Sequence, residues 1–268
     1  MVKTNGPLAG YDTAARKPTG LRAVRPSISG WVHSVETGGA VDGPGIRYVL
    51  FLAGCLLRCQ YCHNPDSWHM HRGKPTTSRD VLREIATYTK FLIHGRGGVT
   101  LSGGEPLVQP EFSHAILRGC KEMGLHTALD TAGFLGLHAD DYLLADVDLV
   151  LLDIKAFSEP TYRDLTGVAL QPTLDFARRL AAMNKPVWIR YVLVPGLTDR
   201  FDEIEGLAAF LRELGNIERV DVLPFHKMGE FKWAEAGAKY RLTDTPPPSR
   251  DLLERTRNAF SSQGLVVT

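Results

Sequence analysis

Six strand-length apolar runs, separated by stretches of helical periodicity, constrain the fold of this chain more than any other feature of its sequence. The runs cover 46–53, 98–102, 126–130, 149–154, 187–194 and 220–225, and Val, Ile, Leu or Tyr dominates them. Helical spacing of apolar residues recurs over 78–91, 111–123, 172–184 and 202–214, and a last helix is expected over 249–261, after the prolines at 246–248. Ser78, ahead of Arg79-Asp80-Val81, reads as the N-cap of the first helix. Strands alternating with helices of this length argue for βα units and a parallel sheet. Six units fall short of the closed eight-stranded barrel, so an open, partial barrel and a doubly wound sheet both satisfy the pattern. One α/β domain is expected over 29–268.

Residues 1–28 differ in character. Lys3, Arg16, Lys17, Arg22 and Arg25 stand there against a single acid, Asp12. Neither a signal-peptide apolar segment nor a convincing amphipathic transit helix is present, so a disordered basic leader is expected. The formal net charge of +1 gives no global field that would draw nucleic acid or an anionic membrane. No apolar run approaches the roughly 18–20 residues of a membrane-spanning helix. Four cysteines do not make a disulfide scaffold, and a reducing, cytoplasmic setting is expected.

Three of those cysteines form a C-x3-C-x2-C loop: Cys55, Cys59 and Cys62, within the segment Gly54-Cys55-Leu56-Leu57-Arg58-Cys59-Gln60-Tyr61-Cys62-His63-Asn64-Pro65. The loop follows the first run directly, at the carboxyl end of a strand, where α/β sheets carry their sites. Three thiolates can hold three irons of a [4Fe–4S] cube, which leaves the fourth iron open to a small molecule. The alternative is a structural zinc ion on the three cysteines and His63, which would make the chain a non-catalytic binding module. The adjacency of Cys62 and His63 makes their joint ligation of one tetrahedral ion awkward. Cys120 stands apart, on the apolar stripe of the helix over 111–123, and reads as core.

The other strand ends add candidates. Ser102-Gly103-Gly104-Glu105-Pro106 follows the second run, and its glycines let the backbone approach a ligand closely. Asp130-Thr131 ends the third run. Asp153-Ile154-Lys155 ends the fourth and puts an acid and a cation on one face, because side chains alternate along a strand. Such a pair can meet a carboxylate, an ammonium or ribose hydroxyls. Arg190 lies on the fifth run and His226 follows the sixth.

The cysteine spacing, with Tyr61 before the third cysteine, resembles the signature of the radical S-adenosylmethionine superfamily, and Gly103-Gly104-Glu105-Pro106 resembles its GGEP motif. The resemblance implies a partial (β/α)6 TIM-like barrel with parallel strands. It implies a [4Fe–4S] cluster on Cys55, Cys59 and Cys62 whose open iron chelates the amino and carboxylate groups of S-adenosylmethionine. Tyr61 and His63 would flank the adenine, and Gly103, Gly104 and Glu105 would meet the methionine amino group. Asp130, Asp153, Ile154, Lys155 and His226 would complete the cofactor site, with Lys155 joining the cysteines in catalysis. A monovalent cation, Na+ or K+, would sit at Asp130, Thr131 and Asp153.

Asp42-Gly43-Pro44-Gly45-Ile46-Arg47, Tyr61-Cys62-His63-Asn64, Trp188-Ile189-Arg190-Tyr191 and Lys232-Trp233 narrow the resemblance to the family that activates pyruvate formate-lyase. It runs from about residue 29 to the C-terminus. It implies that a 5′-deoxyadenosyl radical takes hydrogen from a glycine Cα of the lyase, and that Asp42, Arg47 and Arg190 grip the glycine-bearing peptide. It also implies a flavodoxin or ferredoxin as reductant and a monomeric enzyme. Many other activators of glycyl radical enzymes carry a ferredoxin-like insertion; here only fifteen residues separate Cys62 from Ser78 and only Cys120 is left over. Activation of another glycyl radical enzyme, such as the anaerobic ribonucleotide reductase, remains the rival reading, with a small-molecule radical enzyme behind it.

Overall fold

The computed structural model describes residues 27–268, so the expected leader over 1–28 lies outside the described residues except for its last two. The elements run β1 (Ser29–Gly39), β2 (Arg47–Leu52), β3 (Lys74–Thr77), α1 (Ser78–His94), β4 (Gly98–Gly103), α2 (Pro110–Glu122), β5 (His126–Thr131) and α3 (Asp141–Ala145). They continue with β6 (Leu149–Asp153), α4 (Glu159–Thr166), α5 (Gln171–Ala182), β7 (Val187–Leu193), α6 (Phe201–Leu214), β8 (Ile217–Pro224), α7 (Glu230–Glu235) and α8 (Arg250–Ser261). The strands form one sheet in the order β3-β1-β2-β4-β5-β6-β7-β8. From β2 onward every pairing is parallel, and β8 does not return to β2. The sheet is therefore an unclosed partial barrel of six parallel strands, each of which coincides with one of the apolar runs.

Alternation along the strands decides what faces where. On β7, Val187, Ile189, Tyr191 and Leu193 are buried, while Trp188, Arg190 and Val192 are partly exposed. The first set joins Leu50, Leu101, Leu129 and Leu152 in the core that Ile85, Ile116, Leu180, Leu207 and Phe260 cover from the helices. The opposite faces of β5, β6 and β7 contribute Ala128, Leu149, Leu151 and Trp188 to a separate apolar layer. Two residues further along three of these strands stand Asp130, Asp153 and Arg190, all lining one cavity. An apolar floor under a charged layer follows from period two alone.

Two features differ from the sequence reading. β1 and β3 extend the sheet with antiparallel pairings. β1 carries Ser, His, Glu and Thr on a largely exposed outer half, and β3 has four residues including Pro75, so neither shows an apolar signal. The N-cap of α1 is Thr77 rather than Ser78: the Thr77 hydroxyl oxygen accepts from Asp80 N at 3.2 Å. Ser78 instead fastens the chain entering β1, exchanging hydrogen bonds with Ile28.

Candidate active site

A cavity of about 490 Å³ lies at the carboxyl ends of the parallel strands, and Cys55, Cys59 and Cys62 all line it. The loop that carries them is held by backbone hydrogen bonds at many points. Cys55 N donates to Trp68 O, Arg58 N to Thr166 O, Gln60 N to Leu165 O and Cys62 N to Cys59 O. Trp233 Nε1 donates to Cys62 O at 2.9 Å, which ties α7 to the loop. All four cysteines are free thiols. Burial pushes the Cys59 thiol up to about 12, partly offset by the Lys155 cation, and raises Cys55 and Cys62 in the same direction. Thiols this far from water give up their protons only to a strong positive centre.

The donor set decides which centre fits. Among the described residues, no three His, Cys, Asp or Glu side chains converge on a position for one metal ion. Three thiols around one cavity suit the corners of a polynuclear iron–sulfur cluster, whereas a tetrahedral zinc ion would need a fourth ligand that the adjacency of Cys62 and His63 makes awkward. Cys120, fully buried in α2 among Leu117 and Leu125, belongs to the core.

The charged layer beneath the loop is built of paired side chains. Lys155 Nζ donates to Asp153 Oδ2 at 3.0 Å and stands 5.6 Å from the centre of the Tyr61 ring. Burial opposes the Lys155 charge, but Asp153, Tyr61 and Cys59 outweigh it and hold the ammonium well above its ordinary value. Arg190 Nη1 donates to Asp130 Oδ2 at 3.1 Å and lies 3.5 Å from Asp42 Oδ1. Ser102 Oγ donates to the same Asp130 oxygen at 2.6 Å. Asp130 Oδ1 is buried with no protein partner. Burial raises the Asp130 carboxyl, with Arg190 pulling against it. His63 Nε2 donates to His226 O at 3.1 Å, and the two imidazoles stack with centres 4.2 Å apart. Gly103 and Gly104 complete the lining; a Cβ on Gly104 would stand 2.4 Å from Gly54 O, so side-chain-free backbone is required there.

Three expected site residues stand outside the cavity lining. Ile154 points away from it and packs in the helix-covered core. Glu105 lies behind the lining, buried, and accepts from Leu107 N, Thr131 Oγ1 and Ala132 N. Its role is to brace the loops after β4 and β5. Arg47, expected at the peptide-gripping mouth, is instead wholly buried at the amino end of β2, because its inward side chain pairs with the start of β4. Trp68 has no counterpart among the expected site residues: it lines the cavity and lies under Arg58, whose guanidinium carbon stands 4.9 Å from its ring centre. A lone Trp so close after a cysteine loop was the only trace of it in the sequence.

Glu105 also carries a pH prediction. Burial raises its carboxyl from 4.5 to about 7, with the three hydrogen bonds pulling back. A raised folded-state pKa gives stability that is complete below about pH 4.5 and is lost as the pH climbs through 7. Across that window the wild type should lose roughly 3 kcal/mol relative to Glu105→Gln, measured as urea midpoints at stepped pH. Parallel pH profiles for the two proteins would refute this.

Residues 49–211 match the model of the Radical SAM superfamily. The chain is 44% identical over 240 residues to the pyruvate formate-lyase 1-activating enzyme of Escherichia coli (strain K12), covering 89% of this chain and 98% of that protein. It is 45% identical over 240 residues to the pyruvate formate-lyase-activating enzyme of Streptococcus mutans, covering 87% and 90%. Among solved structures, a domain of the pyruvate-formate lyase-activating enzyme of Bacteroides vulgatus superposes with a TM-score of 0.55 at 28% identity, over 64% of this chain and 98% of that one. Streptococcus suis SuiB bound to S-adenosylmethionine shares the fold, with a TM-score of 0.59 at 19% identity over 82% of this chain and 51% of that one.

Proposed function

Since the chain belongs to the radical S-adenosylmethionine superfamily, and within it to the pyruvate formate-lyase activating enzymes, we propose that it installs a glycyl radical on pyruvate formate-lyase. The observation that carries the reading is the placement of Cys55, Cys59 and Cys62 around a cavity floored by Asp130, Asp153, Lys155 and Arg190. When bound there, a reduced [4Fe–4S] cluster supplies one electron to S-adenosylmethionine, so that methionine and 5′-deoxyadenosine form and a glycine Cα gives up a hydrogen atom.

The chain's own residues prepare this chemistry. Cys55, Cys59 and Cys62 would hold the cluster as thiolates on a loop already fixed by its backbone hydrogen bonds. Gly103 and Gly104 leave room for the methionine amino group, and Lys155 offers a cation, held by Asp153, to the carboxylate. Tyr61, His63 and His226 supply flat surfaces for the adenine and ribose. Phe51, Leu57, Val192 and Leu223 wall the cavity with hydrocarbon, which keeps water from the reacting atoms. Asp42 and Arg190 remain as the groups that meet the glycine-bearing chain, which enters where β8 fails to close on β2.

The reading extends to a small flavin or iron–sulfur protein, a flavodoxin or ferredoxin, as electron donor, and to a Na+ or K+ ion at Asp130, Thr131 and Asp153. Support for the ion comes from the unpartnered Asp130 Oδ1. The reading also takes the chain to act as a monomer in the cytoplasm; among the described residues no helix is long and apolar enough to cross a membrane. The test offers the reduced, cluster-loaded protein two partners in parallel. Formate production should appear with pyruvate formate-lyase, and no activity should appear with the anaerobic ribonucleotide reductase. Activation of the reductase alone would transfer the chain to the rival reading.

A further inference from the structure

Arg47 carries a full charge with 0% of its surface exposed. Its hydrogen bonds go to neutral partners: Nε donates to Thr100 Oγ1 at 3.0 Å and Nη2 to Val99 O at 2.6 Å, while Nη1 lies 3.1 Å from His126 Nδ1 and 3.4 Å from Pro44 O. Burial, and then the Arg47 cation, hold His126 down to about 4, so its neutral ring can accept from the guanidinium. Burying a cation whose hydrogen bonds go to neutral groups is costly even with the charges of Asp148 and Asp42 nearby, and a hydrocarbon side chain would fill the same space at less cost. The guanidinium must therefore hold something that hydrocarbon would not.

Thr100 shows what it holds. The Thr100 hydroxyl accepts from Arg47 Nε and donates to Asp42 O at 2.6 Å. Asp42 lies in the loop between β1 and β2, lines the cavity and directs its carboxylate to within 3.5 Å of Arg190. The same loop is wedged against the turn before β4. A Cβ on Gly97 would lie 1.7 Å from Ile46 O, and Gly45, at φ +69°, leaves no room for one against Arg96 O.

We propose that Arg47 is a positioning residue: through the Thr100 hydroxyl it fixes Asp42 beside Arg190 and so shapes the wall that receives the substrate chain. The identity of that chain rests on the function proposed above; the positioning itself does not.

Thr100→Val keeps the shape of the side chain and removes the hydroxyl, whereas Thr100→Ser keeps the hydroxyl. The variants are compared as cluster-loaded enzyme, by KM and kcat for radical formation on the lyase and by hydrogen exchange over residues 40–46. Thr100→Val should raise the KM for the lyase about tenfold, the effect of one hydrogen bond, with little change in kcat. Exchange over 40–46 should quicken in Thr100→Val and match the wild type in Thr100→Ser. Unchanged exchange in the valine variant would overturn the proposal whatever the substrate is. So would KM and kcat worsening together without rescue by serine, which marks general damage. A wild-type enzyme that leaves the lyase without a radical would sink the functional reading alone, because the exchange measurement still decides whether Asp42 is held through the Thr100 hydroxyl on which Arg47 acts.

Discussion

Cys59→Ala should purify as a folded protein that takes up little iron and sulfide and activates the lyase no better than a mixture lacking enzyme. The loop that carries Cys59 is tied down by backbone hydrogen bonds to Leu165, Thr166 and Trp68, none of which uses the thiol. The change should therefore cost only about 1 kcal/mol of fold stability, the loss of a small buried group. The open iron depends on all three thiolates, so losing one removes the platform and not merely a contact. Cys120→Ala is the matched control. It removes a thiol buried at least as deeply, from α2, far from the loop in sequence, and should lose a comparable amount of stability while keeping full iron content and activity. Equal iron in the Cys59 and Cys120 variants would refute the assignment of the cluster to this loop.

Lys155→Met should raise the KM for S-adenosylmethionine about 30- to 150-fold, because removing one member of a buried charged pair costs roughly 2–3 kcal/mol. Methionine retains the length of the side chain and its packing against Tyr61. It leaves the Asp153 carboxylate without its ammonium partner at 3.0 Å, facing the cavity that would receive the methionine carboxylate. Two effects then add: a lost cation for the ligand and an exposed like charge against it. Iron content should stay at the wild-type level, which separates this variant from Cys59→Ala. A KM within error of the wild type would show that Lys155 serves the barrel rim and not the ligand.

How far the sequence reveals such a site depends on which physical rule places each residue. The six parallel strands were legible because each carries a core of buried apolar residues and reads as an apolar run. Asp130, Asp153 and Arg190 were legible as a set because period two forces them onto the inward face one step above Ala128, Leu151 and Trp188. Ile154 fails by the same rule, since its parity turns it outward into the helix-covered core. Glu105 and Arg47 were harder. Both belong to motifs at the site, yet both act from behind it, Glu105 bracing Thr131 and Ala132 and Arg47 bracing Thr100. A charged residue in a motif looks the same in sequence whether it touches the ligand or the loop that does. The antiparallel pair β1 and β3 was hidden because β3, at the sheet edge, carries Lys, Thr and Pro, and β1 is polar along the half that β3 leaves unpaired.

Electron paramagnetic resonance tests the central claim most directly. The anaerobically reconstituted protein is reduced, mixed with S-adenosylmethionine and pyruvate formate-lyase, and the spectrum is followed with time. A glycyl-radical doublet should grow on the lyase in step with 5′-deoxyadenosine, and should be absent when the Cys59→Ala variant replaces the wild type. Steady formation of 5′-deoxyadenosine with no doublet on the lyase would contradict the account, because the cavity would then deliver its radical to some other substrate.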